Sequence, residues 1–169
     1  METLESKQKI AAITALTSET LLEHWLGHRR VTRRIIEAFP DDKIFTHSVG
    51  GMRTFAQLVM EMLAMGAPGV RGVVERKWPS YEESEKSAKA STKEDLLRLW
   101  DESTAEIKKL WPKISEERFQ EVDKFFGQWE GPIYWSLMYQ IDNEIHHRGQ
   151  GYVYLRSLGI EPPPFWDRN

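Results

Sequence analysis

The densest run of ligand-capable side chains in the chain is Asn143-Glu144-Ile145-His146-His147-Arg148-Gly149-Gln150. Imidazole, carboxylate and amide groups side by side offer cation coordination or proton exchange. On a helix, residues four apart lie about 40° apart around the axis, so Asn143 and His147 form one patch, with Gln150 one turn on. His146 points about 100° away from that patch. Alone, an adjacent His pair in a buried helix reads first as two structurally hydrogen-bonded rings, and a ligand role needs a partner from another helix.

Glu61 is a candidate for that partner. It is the only charge in Leu58-Val59-Met60-Glu61-Met62-Leu63-Ala64-Met65, at the edge of an apolar face. A carboxylate there must be ion-paired, protonated or bound to a cation, since burying it bare is costly. A plain salt bridge to Arg148, Arg53 or Arg71 and a metal site satisfy that requirement equally. His47 lies in a loop, where a solvated imidazole is the default, and is a further candidate ligand. His24 and His28 repeat the four-residue spacing on an earlier helix, among Arg29, Arg30, Arg33 and Arg34. They read as partly exposed, and the arginines as a solvated face or an anion or subunit contact. Tyr134, Tyr139, Tyr152, Tyr154, Trp129 and Trp135 could line a pocket, but aromatics at helical spacing are more often core.

The elements that must position these residues are helical. Leu16 to Thr20 supply hydroxyl caps ahead of Leu21, Leu22, Trp25, Leu26, Val31, Ile35 and Ile36, spaced by three, four and seven, and this first helix must end before Pro40. Residues 41–53 carry loop chemistry, with Thr54 as the cap of a second helix through Phe55, Leu58, Val59, Met62 and Met65. Gly66-Ala67-Pro68-Gly69 is expected to kink or break it before Val70 to Trp78. Residues 79–91 are polar and read as a surface loop, and Ser91-Thr92-Lys93-Glu94 resembles a capping box opening a third helix that stops near Pro112. Residues 115–130 fit no single period and are expected to be irregular. Gly131-Pro132 opens the fourth and longest helix, which ends at Gly159. The expectation is an all-α four-helix bundle, one domain over residues 1–169.

Composition agrees with a folded, core-forming chain: 169 residues, 40% hydrophobic and 29% charged, with seven Trp, seven Phe and five Tyr. A formal charge of -3 gives no positive field to hold a phosphate backbone, so no nucleic-acid partner is expected. The absence of cysteine excludes thiolate ligands, a cysteine nucleophile and disulfides. The first ten residues are polar and no run reaches the roughly 18 apolar residues of a membrane span, so a cytoplasmic protein without a membrane partner is expected.

The fourth helix resembles the signature His-x-x-x-His-Arg-Gly-Gln, followed by Leu-Arg-x-Leu-Gly and prolines, of the DinB/YfiT-like superfamily of bacterial metal-binding four-helix bundles. Here it reads Asn143 to Gln150, then Leu155-Arg156-Ser157-Leu158-Gly159 and Pro162-Pro163, and Gly50-Gly51-Met52-Arg53-Thr54-Phe55 is similar to the family's entry to helix two. The resemblance implies three His presented to a divalent cation, one from helix two and two from helix four. It places Glu61, Asn143 and His147 at those positions, with only His147 kept as His. A Glu, Asn, His set is more oxygen-rich than three imidazoles and shifts the expected cation from Ni²⁺ or Zn²⁺ toward Mg²⁺, Mn²⁺ or Fe²⁺, or to none. The function so implied is a metal-dependent transferase or hydrolase, possible with a low-molecular-weight thiol. The rival is a non-catalytic, stress-response, ligand-binding bundle with a degenerate site. No organic cofactor is expected and no catalytic residue is assigned. Trp25, Phe39 and the arginine-rich face of helix one suggest a homodimer.

Overall fold

A computed structural model describes residues 16–169; the polar first ten residues lie outside the described residues. The elements run α1 (Ser18–Ala38), α2 (Lys43–Thr46), α3 (Phe55–Glu75), α4 (Tyr81–Ser87), α5 (Lys93–Leu110), a 3-10 turn (Trp111–Lys113), α6 (Glu116–Gln120), β1 (Val122–Phe125), β2 (Trp129–Pro132) and α7 (Ile133–Ser157). The four long helices α1, α3, α5 and α7 form the bundle. Each of α1 and α3 packs against both α5 and α7, so α1 and α3 stand diagonally opposite. No helix among the described residues is long and apolar enough to cross a membrane.

The helix starts follow from local hydrogen bonding. Thr17 caps α1, Thr54 caps α3 with Gln57 closing a reciprocal box, and Thr92, one residue beyond Ser91, caps α5 through the Asp95 N–H. Residues 79–91, expected as loop, contain α4, capped by Ser80 and Glu83; the Ser-x-x-Glu spacing was the local signal. Residues 115–130, expected as irregular, fold into α6 and an antiparallel hairpin pairing Val122 with Pro132 and Phe125 with Trp129. The hairpin turns through Phe126 and Gly127, both at positive φ.

The expected break at Gly66 to Gly69 is absent, and α3 runs unbroken through Pro68. These small residues accommodate neighbours instead. A Cβ on Gly69 would stand 2.8 Å from the Phe125 ring, and one on Gly66 would stand 3.5 Å from the Arg29 guanidinium. Surrounding packing holds the helix together where one missing N–H would weaken an isolated one.

The apolar interior forms two clusters. One gathers Ile35, Ile36, Phe39, Phe55, Leu58, Trp100 and Leu155, and the other Leu21, Trp25, Val70, Ile107, Trp111, Ile133 and Leu137. Trp25 and Phe39 thus serve the core, each 1% exposed, and not an outer face for a second subunit. The C-terminal residues fold back on α1, where Arg34 pairs with Asp167 and Arg30 donates to the Arg168 carbonyl at 2.6 Å.

Gly151 and Gly149, two residues apart on α7, make a matched test of the packing. A Cβ on Gly151 would lie 2.5 Å from the buried Phe55 ring, whereas nothing lies within 4 Å of one on Gly149. Gly151→Ala should lower unfolding free energy by about 1–3 kcal/mol through overpacking. Gly149→Ala should raise it by up to about 1 kcal/mol, from helix propensity. Urea midpoints at unchanged slope measure both.

Candidate functional site

Two carboxylates, the buried Glu144 and the partly buried Glu61, organise the polar interior. Glu144 is 2% exposed and lies between the apolar clusters. Its oxygens accept from Trp25 Nε1 at 2.9 Å and Thr32 Oγ1 at 2.6 Å, and the Arg29 guanidinium stands 3.8 Å away. Arg29 in turn donates to Thr104 Oγ1 at 2.7 Å and to the Trp100 carbonyl, with its guanidinium 4.0 Å over the Trp100 ring. Burial pulls its pKa down to about 10, against the opposing pull of Glu144. Arg148 donates to the His28 carbonyl at 3.1 Å and to His28 Nδ1 at 3.0 Å. Burial first, and Arg148 second, lower the His28 pKa to about 3, so that ring is neutral.

This layer corrects the surface reading of helix one. His28 and Arg29 are buried and Arg33 and Arg34 half-buried, while His24 and Arg30 are exposed. The spacing that suggested a solvated face carries one arginine into the core, where a carboxylate from α7 neutralises it.

The second carboxylate meets the residues singled out in the sequence. Glu61 Oε1 lies 3.0 Å from His147 Nε2 and 3.3 Å from Asn143 Nδ2, so α3 and α7 bring Glu61, Asn143 and His147 together. Arg53, just before α3, pairs with Glu61; of the three arginines considered, this is the one, since Arg71 pairs with Glu106 and Arg148 reaches α1. The Arg53 carbonyl is itself held by Tyr154 Oη at 2.9 Å. His147, 5% exposed, donates from Nδ1 to Gln150 Oε1 at 2.8 Å, and Gln150 Nε2 points at Met52 Sδ. With Nδ1–H committed, Nε2 faces a carboxylate, and the gap between them calls for a proton or a cation.

The remaining candidates lie elsewhere. His146 is exposed, its ring edge-on to His147. His47 pairs with Ser157 Oγ at 2.7 Å, ten residues beyond His147 on the same helix and so about 15 Å along it. Tyr154 is core, and Tyr152 donates to the Pro163 carbonyl. Trp129, Trp135 and Tyr139 are exposed and line a pocket, and Tyr134 is exposed beside another. Tyr81, on the unexpected α4, stands close enough to Glu61 and Tyr139 for both to help raise its hydroxyl pKa, behind burial as the main cause.

The dyad's ionisation follows from these contacts. The His147 hydrogen bond, ahead of Arg53 and Asn143, lowers the Glu61 pKa from 4.5 to about 2 against desolvation. Burial alone would lower the His147 pKa, but Glu61 and Gln150 overcome it and leave the value above 6.5. A raised His value stabilises the fold below pH 6.5 and is lost as pH rises through the folded value; a depressed Glu value stabilises above pH 4.5 and is lost as pH falls toward 2. Both contributions coexist between about pH 4.5 and 6.5. In chelator-treated protein, NMR titration should place the His147 transition above 6.5 and move it down in Glu61→Gln; an unmoved transition would show that the carboxylate does not control the ring.

The family model described as DinB family matches residues 9–168. A crystal structure of a DinB-like protein, YjoA, from Bacillus subtilis superposes with a TM-score of 0.70 at 21% identity, covering 88% of this chain and 99% of that one. A DinB-like protein from Bacillus cereus gives 0.67 at 17%, covering 86% and 95%. Among proteins with curated descriptions, none matches this sequence. At these identities the two structures speak for the fold, and the family match spans nearly the whole chain: the chain belongs to the DinB family.

Proposed function

We propose that the chain is a divalent-metal-dependent transferase or hydrolase whose cation is held by His147 Nε2 and the Glu61 carboxylate, with the Asn143 amide as a third, weaker donor. The observation that supports this reading is the 3.0 Å approach of an imidazole nitrogen to a carboxylate oxygen when the other ring nitrogen already donates to Gln150. Two ligand atoms each about 2.0–2.2 Å from one cation at right angles stand about 3 Å apart, so the pair suits adjacent coordination positions. Asn143 presents its amide to the same carboxylate oxygen, and turning that amide over offers oxygen in place of nitrogen. Among the described residues no three His, Cys, Asp or Glu side chains converge, so the set is weaker than three imidazoles and leaves positions open.

A divalent cation there supplies Lewis acidity toward a carbonyl, thiol or water. The protein's own groups do the rest. Gln150 fixes the His147 tautomer, which is the usual outer-shell role. Arg53, half exposed on its side chain, neutralises Glu61 when no cation does and can leave toward solvent. A low-molecular-weight thiol as co-substrate belongs to this reading through the family resemblance. The Arg53–Glu61 ion pair favours a second reading, a non-catalytic ligand-binding bundle in which a guanidinium has taken the cation's place.

Calorimetric titration of tag-free, chelator-treated protein with Mn²⁺ and Ni²⁺ separates the two. Binding should weaken in His147→Ala by more than the roughly 10–100-fold that losing an outer hydrogen bond costs, and by no more than that in His146→Ala. Asn143→His should tighten Ni²⁺, since imidazole suits that ion better than an amide oxygen. Equal binding by wild type and His147→Ala would make the cluster structural and leave the second reading.

We also propose a homodimer, formed not by helix one but by α7. Tyr134, Met138 and Ile145 lie exposed along one face of that helix, with Phe165 near Ile145, and an apolar stripe of this kind matches itself across a twofold axis. Sedimentation should give twice the chain mass at micromolar concentration, and Met138→Glu with Ile145→Glu should return the monomer. A wild-type monomer would refute the pairing.

A further inference from the structure

His24 and His28 stand four residues apart on α1 with their Nε2 atoms 3.2 Å from each other. Each ring meets an arginine at its other nitrogen. Arg148 on α7 approaches His28 Nδ1 at 3.0 Å, and Arg168, in the segment that folds back on α1, approaches His24 Nδ1 at 3.2 Å. Arg148, His28, His24 and Arg168 thus form a row of four groups with three gaps between them. Among the described residues the only histidine paired with a carboxylate is His147.

A hydrogen count shows what the row can hold. Arginine only donates, and a neutral imidazole carries one N–H. Each gap needs one hydrogen, and two arginines with two neutral rings direct four into three gaps. Turning a ring over puts carbon in place of a bonded nitrogen and relieves nothing. The row is therefore over-full by one even with both rings neutral. A cation between the Nε2 atoms does not fit either, since a ring that ligates through Nε2 carries its hydrogen on Nδ1, where an arginine N–H already points. One more proton makes five hydrogens and sets a charged ring against the arginines.

Exposure decides where the row yields. His28 and Arg148 are 3% and 4% exposed, and burial, followed by Arg148, keeps His28 neutral. His24 is exposed, and Arg168 reaches it across Gly27, where a Cβ would stand 3.2 Å from the Arg168 Cβ. Burial first, and Arg168 second, lower the His24 pKa below 6.5. The rest of the segment is tied down at separate points. Tyr152 Oη donates to the Pro163 carbonyl at 2.8 Å, and Arg34 and Arg30 hold Asp167 and the Arg168 carbonyl. Phe165, between these ties, walls a groove of about 230 Å³ with Ile145, Gly149 and Tyr152.

We propose that residues 163–169 form an acid-released strap with His24 as its latch: protonation of His24 drives Arg168 away from α1 and opens the groove behind Phe165. The charged and titratable groups facing His24 are Arg168 from the strap, His28 on α1 and, behind His28, Arg148 on α7; the strap's own Asp167 is taken by Arg34. Docking lowers the His24 pKa, so the strap is held above pH 6.5 and loosens as pH falls below it. The docked-to-free ratio falls up to about tenfold for every pH unit between the ring's free and docked values.

NMR of the full chain between about pH 7.5 and 4.5 tests this. The His24 ring should titrate below 6.5, and the amide signals of Phe165, Trp166 and Arg168 should move with the same midpoint. His24→Gln keeps an acceptor for His28 and gains no proton, so its strap signals should hold still over that range. Arg168→Met removes the opposing cation, and its His24 midpoint should rise. Strap signals that stay fixed in wild type, or that follow the His147 transition above 6.5, would overturn the proposal. So would signals that move equally in His24→Gln, a result that hands the release to Asp167.

Discussion

The rest of the structure depends on the pairing of Arg29 with Glu144 inside the bundle, beside a second buried guanidinium, Arg148. Two guanidinium groups and one carboxylate are withdrawn from water at mid-height, where an isolated charge is very costly to hold. They persist because Arg29 donates to Thr104 and the Trp100 carbonyl, and Arg148 to Thr32 and His28. Removing one member of such a set typically costs about 3–5 kcal/mol, comparable with the whole stability of a small domain. The layer therefore holds α1, α5 and α7 in one relative setting, and the two apolar clusters pack on either side of it.

That setting decides which way His147 faces. Glu144 and Arg148 bracket it on α7 and are tied to α1. At about 100° per residue, the ring between them is left directed toward α3, where Glu61 waits. The two carboxylates then differ in kind. Glu144 is closed off by Trp25 and Thr32, while Glu61 keeps an opening that Arg53, itself half exposed, shares. A closed ionic layer positions, and an open one can exchange its counter-ion.

Much of this could be read in the chain because it rests on local rules. Thr54 as a cap, the stop before Pro40 and the long helix after Gly131-Pro132 are each set by a few neighbouring residues, and the shared face of Asn143 and His147 follows from helical spacing alone. What escaped depended on distant partners. The arginine run of α1 looks amphipathic until Glu144, 115 positions beyond Arg29, takes one of its members inside. Pro68 looks like a break until Phe125 and Arg29 are seen to need the small residues around it. The hairpin's apolar residues fit no period because they serve a turn and a pocket floor, and Gln140 reads as an ordinary polar residue until its buried nitrogen is found without a partner.

The ionic layer also bears on the order in which the chain can fold. Its bonds join α1 to α7 across 112 to 120 residues of sequence. During synthesis, Arg29 and His28 emerge well over a hundred residues before Glu144 and Arg148 exist. Until then α1 can be helical and its arginine can reach α5, but the charge lacks the carboxylate that neutralises it, so α1 cannot settle fully on α5. Closure of the bundle is therefore an event of the last helix, and the nascent chain must keep its aromatic residues from other company until α7 arrives.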